Sequence, residues 1–243
     1  MTDDKRKRGH GMTDRKLTRE AIIDTAIALA DAEGLDALSM RRIAERMETG
    51  AMSLYRHVAN KDELLAAMTD EVSRRNPYPD AAGTGWTWRD RVRIAAEIDW
   101  ALYRQHPWVI LAFATPRYSF GPAGLACLGW LVEGFRELDV TPREAMQMSF
   151  SVWNYISGAT LPEISSALMA RKGIEPDTTN GLRALLVGRP MWTPPAALAD
   201  LEGAGVSELT SEELLYAGLA TLCDGIEARL RARAPLLGAD RTS

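Results

Sequence analysis

The stretch 17–65 constrains the fold more than any other part of the sequence, because several short helical patterns follow one another there, each punctuated by a capping or turn residue. Thr18 is placed as an N-cap, with Glu20 in the first turn and Ile22, Ile23, Ala26, Ile27 and Ala30 at helical spacing. Gly34 is placed to end that helix in the left-handed conformation. Ser39 opens a second helix that keeps Ile43, Ala44 and Met47 on one face and Arg41, Arg42, Glu45 and Arg46 on the other. Glu48-Thr49-Gly50 supplies a turn, and residues 51–57 are long enough for about two helical turns, with Leu54 and Val58 facing inward. Asn60 then caps a fourth helix, with Glu63 placed to complete a capping box. Two short helices joined by a tight turn read as a helix-turn-helix, and the chain is expected to bind DNA.

The order Leu-Ser-Met-Arg-Arg-Ile-Ala-Glu-Arg-Met at 38–47, then Ser-Leu-Tyr-Arg-His-Val-Ala-Asn-Lys at 53–61, then Leu64 and Leu65, resembles the DNA-binding domain of TetR-family transcriptional regulators. A bare helix-turn-helix pattern is common among amphipathic helix pairs; Leu-Tyr-x-His-x-x-Asn-Lys behind two capped helices is specific. The turn departs from the family pattern, which usually carries Gly where this chain has Glu48; the glycine falls two residues later, at Gly50. The start of the recognition helix is left open by a residue or two.

The resemblance implies roles for named side chains. Ala51 and Met52 stand at the end of the recognition helix that meets base edges, and neither can form a bidentate hydrogen bond, so apolar contact with thymine methyls is the expected readout. Arg41 resembles a family position that reaches a guanine edge or a phosphate, and Arg42 belongs to the same DNA-binding set. Ser39, Ser53, Tyr55, His57 and Lys61 resemble the phosphate-binding set, which fixes register without reading sequence. Tyr55 has a second available role in the small domain's core. His57 has no second ligand at metal-binding spacing, and no metal or cofactor is expected.

The formal net charge of -4 argues against a nucleic-acid partner until its distribution is considered. Residues 5–20 hold seven Lys/Arg against Asp14 and Glu20, and residues 39–61 hold five against Glu45 and Glu48. Positive charge therefore gathers where a phosphate backbone would lie. Lys5-Arg6-Lys7-Arg8 is either a solvated run or part of a basic arm, 1–16, that enters the minor groove.

An all-α chain is expected: a three-helix helix-turn-helix domain at 17–78, a larger helical ligand-binding and dimerisation domain at 86–234, and a C-terminal tail at 235–243. Asn76-Pro77-Tyr78-Pro79 ends the fourth helix, and all seven tryptophans follow it. Helical patterns run at about 88–105, 107–114, 122–138, 142–172 and 211–233, with capping boxes at Thr141/Glu144 and Thr210/Glu213 and no alternation typical of strands.

The last two helices carry wide apolar stripes and are the expected dimer interface, with Leu215, Gly218, Leu222, Gly225 and Ile226 contributing; Gly218 and Gly225 argue for close backbone approach. A two-fold dimer places two recognition helices roughly 34 to 36 Å or more apart and implies a palindromic double-stranded operator. The resemblance further implies a pocket for a small-molecule inducer. Trp100, Tyr103, Phe113, Trp130, Met148, Trp153 and Asn154 are the candidate lining, with Gln147 and Asp99 as further polar anchors. The segment 173–209, rich in Gly and Pro, is expected to form a lid or a mobile loop.

The reading is a cytoplasmic homodimeric repressor that leaves its operator when a largely apolar ligand binds, with a ligand-independent regulator or an activator as the alternative. An enzyme is not expected: His10, His57 and His106 lie far apart, and no His-Glu-x-x-His, phosphate loop or nucleophile elbow occurs, which leaves an all-α enzyme with an accessory DNA-binding domain as the less favoured class. With 46% hydrophobic residues and no apolar run near 20 residues, no membrane span is expected. The charged N-terminus is followed by no apolar segment and is not read as a secretory signal. Cys127 and Cys223 are expected to be free thiols in a reducing compartment.

Overall fold

A computed structural model describes residues 17–115, 118, 121–171 and 209–239. The expected arm at 1–16, most of the Gly- and Pro-rich segment at 173–209 and the end of the tail lie outside the described residues. All regular structure among the described residues is helical.

The N-terminal domain contains α1 (Arg19–Glu33), a single 3-10 turn (Leu35–Ala37), α2 (Met40–Arg46), α3 (Ala51–Leu54) and α4 (Lys61–Arg75). Thr18, Ser39 and Asn60 cap α1, α2 and α4, their side-chain oxygens accepting from the amides of Ala21, Arg42 and Glu63. Glu63 returns its carboxylate to the amide of Ala59 at 2.8 Å, one residue before the cap, so the expected box closes on a neighbouring donor. Gly34 does end α1 at positive φ, but at φ 82°, ψ 171°, extended rather than left-handed helical. Ile22, Leu29, Ile43, Leu54, Leu64 and Met68 are fully buried in the shared core.

The recognition helix is shorter than the two turns expected. It stops at Leu54, and the amides of His57 and Val58 both donate to the Leu54 carbonyl, turning the chain so that Asn60 can cap α4. The unusual turn before it is accommodated by strain: Glu48, where the family pattern usually has glycine, sits at φ 52°.

The C-terminal domain contains α5 (Trp88–Gln105), α6 (Trp108–Phe113), α7 (Pro122–Arg136), α8 (Pro142–Arg171) and α9 (Ser211–Ala239). The Thr141 and Thr210 capping boxes form, and α5 opens on another, Thr87 with Asp90, that the sequence reading does not single out although its chemistry is equally local. Helix α9 runs past the Arg233 at which its pattern ends and takes in part of the stretch expected as a tail. Helix α5 packs against α7, α8 and α9, and α8 packs against both α7 and α9.

Helix α4 belongs to both domains by contact, packing against α1 on one side and α6 and α7 on the other. The seam is polar as well as apolar. Asp31, near the end of α1, accepts from the indole of the fully buried Trp108 at 2.7 Å and meets Nδ1 of the buried His106 at 2.8 Å. Asp70 of α4 accepts from the amide of Ala123 at 2.8 Å and so caps the first turn of α7 from another domain. This contact depends on Gly121, because a Cβ there would lie 2.3 Å from the Asp70 carboxylate. Thr69 donates to the Tyr118 carbonyl, and the Tyr118 hydroxyl donates to Asp62 at 2.6 Å.

Candidate DNA-recognition surface and ligand cavity

The outer face of α2 and α3 is built from side chains that the small core does not use. Met52 is 78% exposed, a large apolar side chain left in water at the first turn of α3, and Tyr55 is exposed beside it. Ala51 and Ser53 are half-buried on the same short helix, and His57 is half-buried in the turn that follows. Exposure of Tyr55 sets aside its alternative role in the core. Ser39 spends its hydroxyl on the Arg42 amide at 3.3 Å yet remains exposed, and Lys61 stands exposed at the start of α4.

The arginines divide. Arg41 is solvated and pairs with Glu45 one turn along at 2.9 Å, an exposed pair worth at most about 1 kcal/mol and readily exchanged for a phosphate. Arg42 and Arg46 both reach Glu33 at the end of α1, and Arg42 also donates to the Ala37 carbonyl. Arg42 is thus engaged in fastening α2 to α1, a competing role invisible in the sequence because Glu33 lies nine residues upstream, across a turn.

In the C-terminal domain a narrow cavity of about 50 Å³ lies beneath the end of α4. Ser73, Asn76 and Tyr78 approach from the α4 side, Asp99 and Leu102 from α5, Phe113 from α6, Cys127 and Leu131 from α7, and Trp153 from α8. Phe113 and Trp153, whose ring centroids are 6.0 Å apart, also line a wider groove of about 470 Å³ between α6 and α8. The two rings are therefore a partition between a small polar-bottomed cavity and a larger apolar groove.

Asp99 is only 7% exposed. The Tyr78 hydroxyl lies 3.0 Å from each of its carboxylate oxygens. Burial pushes the Asp99 carboxyl up to about 7, and the Tyr78 hydrogen bond offsets only part of that. The same burial, with the carboxylate close by, raises the Tyr78 and Tyr103 phenols and pushes the Cys127 thiol up to about 11.

Of the seven candidate lining residues, the structure brings Phe113 and Trp153 to the cavity. Tyr103 lies just behind, its hydroxyl 3.2 Å from Ser157 Oγ and its ring edge-on to Phe113. Trp100 is buried core. Trp130 packs edge-on against Tyr78 and donates to the Pro79 carbonyl, which steadies the loop carrying Tyr78. Met148 is turned to the α8/α9 groove, and the exposed Asn154 lines the wider groove between α6 and α8, so neither faces the narrow cavity. Helical periodicity shows that such residues share a face without showing which face meets which neighbour. Tyr78, Ser73 and Cys127 were not singled out for the cavity; Tyr78 follows the fourth helix in a Pro-flanked stretch that reads simply as its end.

The expected dimer set also divides. Leu215 is buried within its own chain, and Ile226 is buried at the wall of the α8/α9 groove. Gly218 faces α8: a Cβ there would lie 1.7 Å from the Tyr155 hydroxyl, which donates to the Leu214 carbonyl. Close approach is required at Gly218, but by an internal neighbour. Leu222 and Gly225 remain on a groove of about 420 Å³ shared with Gln147 and Ser151 of α8, and Leu214 and Met146 are exposed on the same two helices. Both cysteines are free, Cys127 half-buried and Cys223 buried. Among the described residues no cluster of acid, His and Cys side chains could hold a metal, and no helix is long and apolar enough to cross a membrane.

Residues 22–68 match the family model described as bacterial regulatory proteins, tetR family. The chain is 36% identical over 148 residues to the HTH-type transcriptional repressor DrrR1 of Streptomyces coeruleorubidus, a match covering 61% of this chain and 54% of that one. It is 31% identical over 147 residues to an HTH-type transcriptional regulator of Saccharopolyspora erythraea, covering 60% and 61%. The chain thus spans between half and two thirds of the length of these curated relatives. In three dimensions it resembles the Streptomyces coelicolor TetR family protein ActR in complex with actinorhodin, with a TM-score of 0.69 and 27% identity over 88% of this chain and 98% of that one.

Proposed function

We propose that this chain, whose residues 22–68 match the tetR family of bacterial regulatory proteins, is a homodimeric repressor that leaves a palindromic operator when a small, largely apolar molecule occupies the C-terminal domain. The observation that carries the reading is the double membership of α4. Its first residues hold the turn that ends the recognition helix, and its last residues form the wall of the Asp99 cavity. A ligand that widens the cavity must displace the end of α4, and a displacement there rotates α3 against DNA. The coupling between the two sites is limited to the ligand's differential affinity for the two α4 positions.

In this reading Ala51 and Met52 meet base edges by apolar contact, Arg41 exchanges Glu45 for a guanine edge or phosphate, and Ser39, Ser53, Tyr55, His57 and Lys61 fix register on the backbone. Arg42 contributes by holding α2 in place through Glu33. The uncovered face of α8 and α9, with Met146, Leu214, Leu222 and Gly225, is the dimer surface. Regulation rather than catalysis, and action in the cytoplasm, complete the proposal. Selection of bound duplexes from a random DNA pool, at roughly physiological salt where non-specific binding is weak, tests it. A palindrome with two equivalent half-sites supports the dimeric operator-binding regulator; recovery of no consensus overturns it.

A further inference from the structure

We propose that the ligand of this cavity is an amphipathic cation: an aromatic or otherwise apolar body carrying one protonated amine, with the ammonium seated against Asp99 and the body lying in the groove beyond Phe113 and Trp153. The inference rests on the ligand-responsive reading of the C-terminal domain and specifies the chemistry of the molecule sensed.

Four observations carry it. Asp99 is nine-tenths buried, forms part of the cavity wall and has Tyr78 as its hydrogen-bond partner. Among the described residues, the titratable groups that face it, Tyr78, Tyr103 on α5 and Cys127 on α7, are neutral, and the other polar cavity residues, Ser73 and Asn76 on the α4 side, carry no charge. A buried carboxylate without a cationic partner is costly in its ionised form, and that cost is recovered by a cation brought to it. Finally, the cavity of about 50 Å³ suits an ammonium group and is too small for a ring, while the adjoining groove of about 470 Å³ is lined by Ile110, Leu111, Phe150 and Leu161. Size and polarity thus divide the site into a small anionic end and a large apolar end. Phe113 and Trp153 line both spaces, and an aromatic ring attracts a cation placed over its face within about 6 Å. An anionic ligand would meet the Asp99 charge, and a neutral one would leave it unpaired.

Binding of such a cation is linked to the proton on Asp99. The folded protein holds that proton below about pH 7, and pairing with an ammonium requires its release. The affinity for an amine therefore falls as pH drops below about 7, by up to about tenfold per pH unit, whereas that for a neutral analogue stays level.

The experiment uses the full chain without DNA and a matched pair of probes, dansylcadaverine with its primary ammonium and its N-acetyl derivative, followed by dansyl fluorescence. The amine is expected to bind at least about tenfold more tightly than the acetyl compound at pH 7.5. Asp99→Asn is expected to reduce the amine to the level of the acetyl compound. Tyr78→Phe, which removes the hydrogen bond and keeps the carboxylate, is expected to retain the preference. Equal binding of the two probes, binding of neither, or a preference that survives in Asp99→Asn overturns the proposal. Should Asp99→Asn lose its helical circular dichroism, the wild-type pH profile decides, and a profile as flat for the amine as for its acetyl derivative overturns it. Because DNA is absent, the broader reading stands or falls separately. An amine that is selected yet never releases operator removes the inducer role alone, and a neutral molecule that releases operator with Asp99 immaterial removes the cation alone.

Discussion

The domain seam and the cavity each contain a carboxylate withdrawn from bulk water, and they treat it differently. At the seam Asp31 is met by both an indole N–H and an imidazole nitrogen. In the cavity Asp99 is met, among the described residues, by one phenol. A withdrawn acid surrounded by donors from another element serves as a fastening, since each donor it would leave behind costs about 1–3 kcal/mol of desolvation. A withdrawn acid short of donors weakens the fold that contains it and gains from any molecule that supplies what is missing. The supply of partners within the chain thus distinguishes what holds the two domains together from what is open to a ligand.

That contrast can be broken most forcefully at Trp108. Replacing it with Ala empties a fully buried site and orphans one Asp31 contact, with an expected loss of about 3–5 kcal/mol in urea unfolding. Asp99→Asn should act in the opposite direction. The folded-state carboxyl titrates near 7 against an ordinary 3.8, so between those values the native state holds a proton that the unfolded chain has lost, and wild-type stability falls as pH rises through that window. Relative to wild type, the Asn variant should therefore gain about 2–4 kcal/mol on going from pH 4 to pH 8, read from thermal unfolding at both values. Gly121→Ala drives a Cβ into Asp70 and uncaps α7, an expected loss of about 1–2 kcal/mol in the same unfolding measurement. Glu48→Gly, remote from both regions, removes a left-handed strain of about 1–2 kcal/mol and adds unfolded-chain entropy, for a net gain of up to about 1 kcal/mol in the denaturation midpoint.

Much of the fold is legible in the sequence because helix starts are local chemistry. Thr18, Ser39, Asn60, Thr141 and Thr210 each announce a helix through a hydrogen bond closed within three residues, and each helix begins there. The exposed end of α3 is legible for the same reason, since Met52 and Leu54 fall on opposite sides of so short a helix. Partnerships across long separations are not. Asp31 and His106 stand 75 residues apart, Asp70 and Ala123 stand 53 apart, and Tyr78 meets Asp99 across a Gly-rich loop. Each depends on how helices cross, which periodicity leaves undetermined. Gly218 shows the limit most plainly: spacing correctly marks it as a point of close approach, and only packing reveals that the neighbour is Tyr155 of the same chain.

The cap that Asp70 places on α7 gives the molecule a gauge of its own state. The Ala123 amide is protected by a residue of α4, so its exchange with solvent deuterium depends on where α4 stands rather than on the stability of α7. Any molecule that swings the end of α4 away from α7 should speed exchange at that amide while leaving the middle of α7 slow. The first turn of α7 thus reports domain rotation without a label.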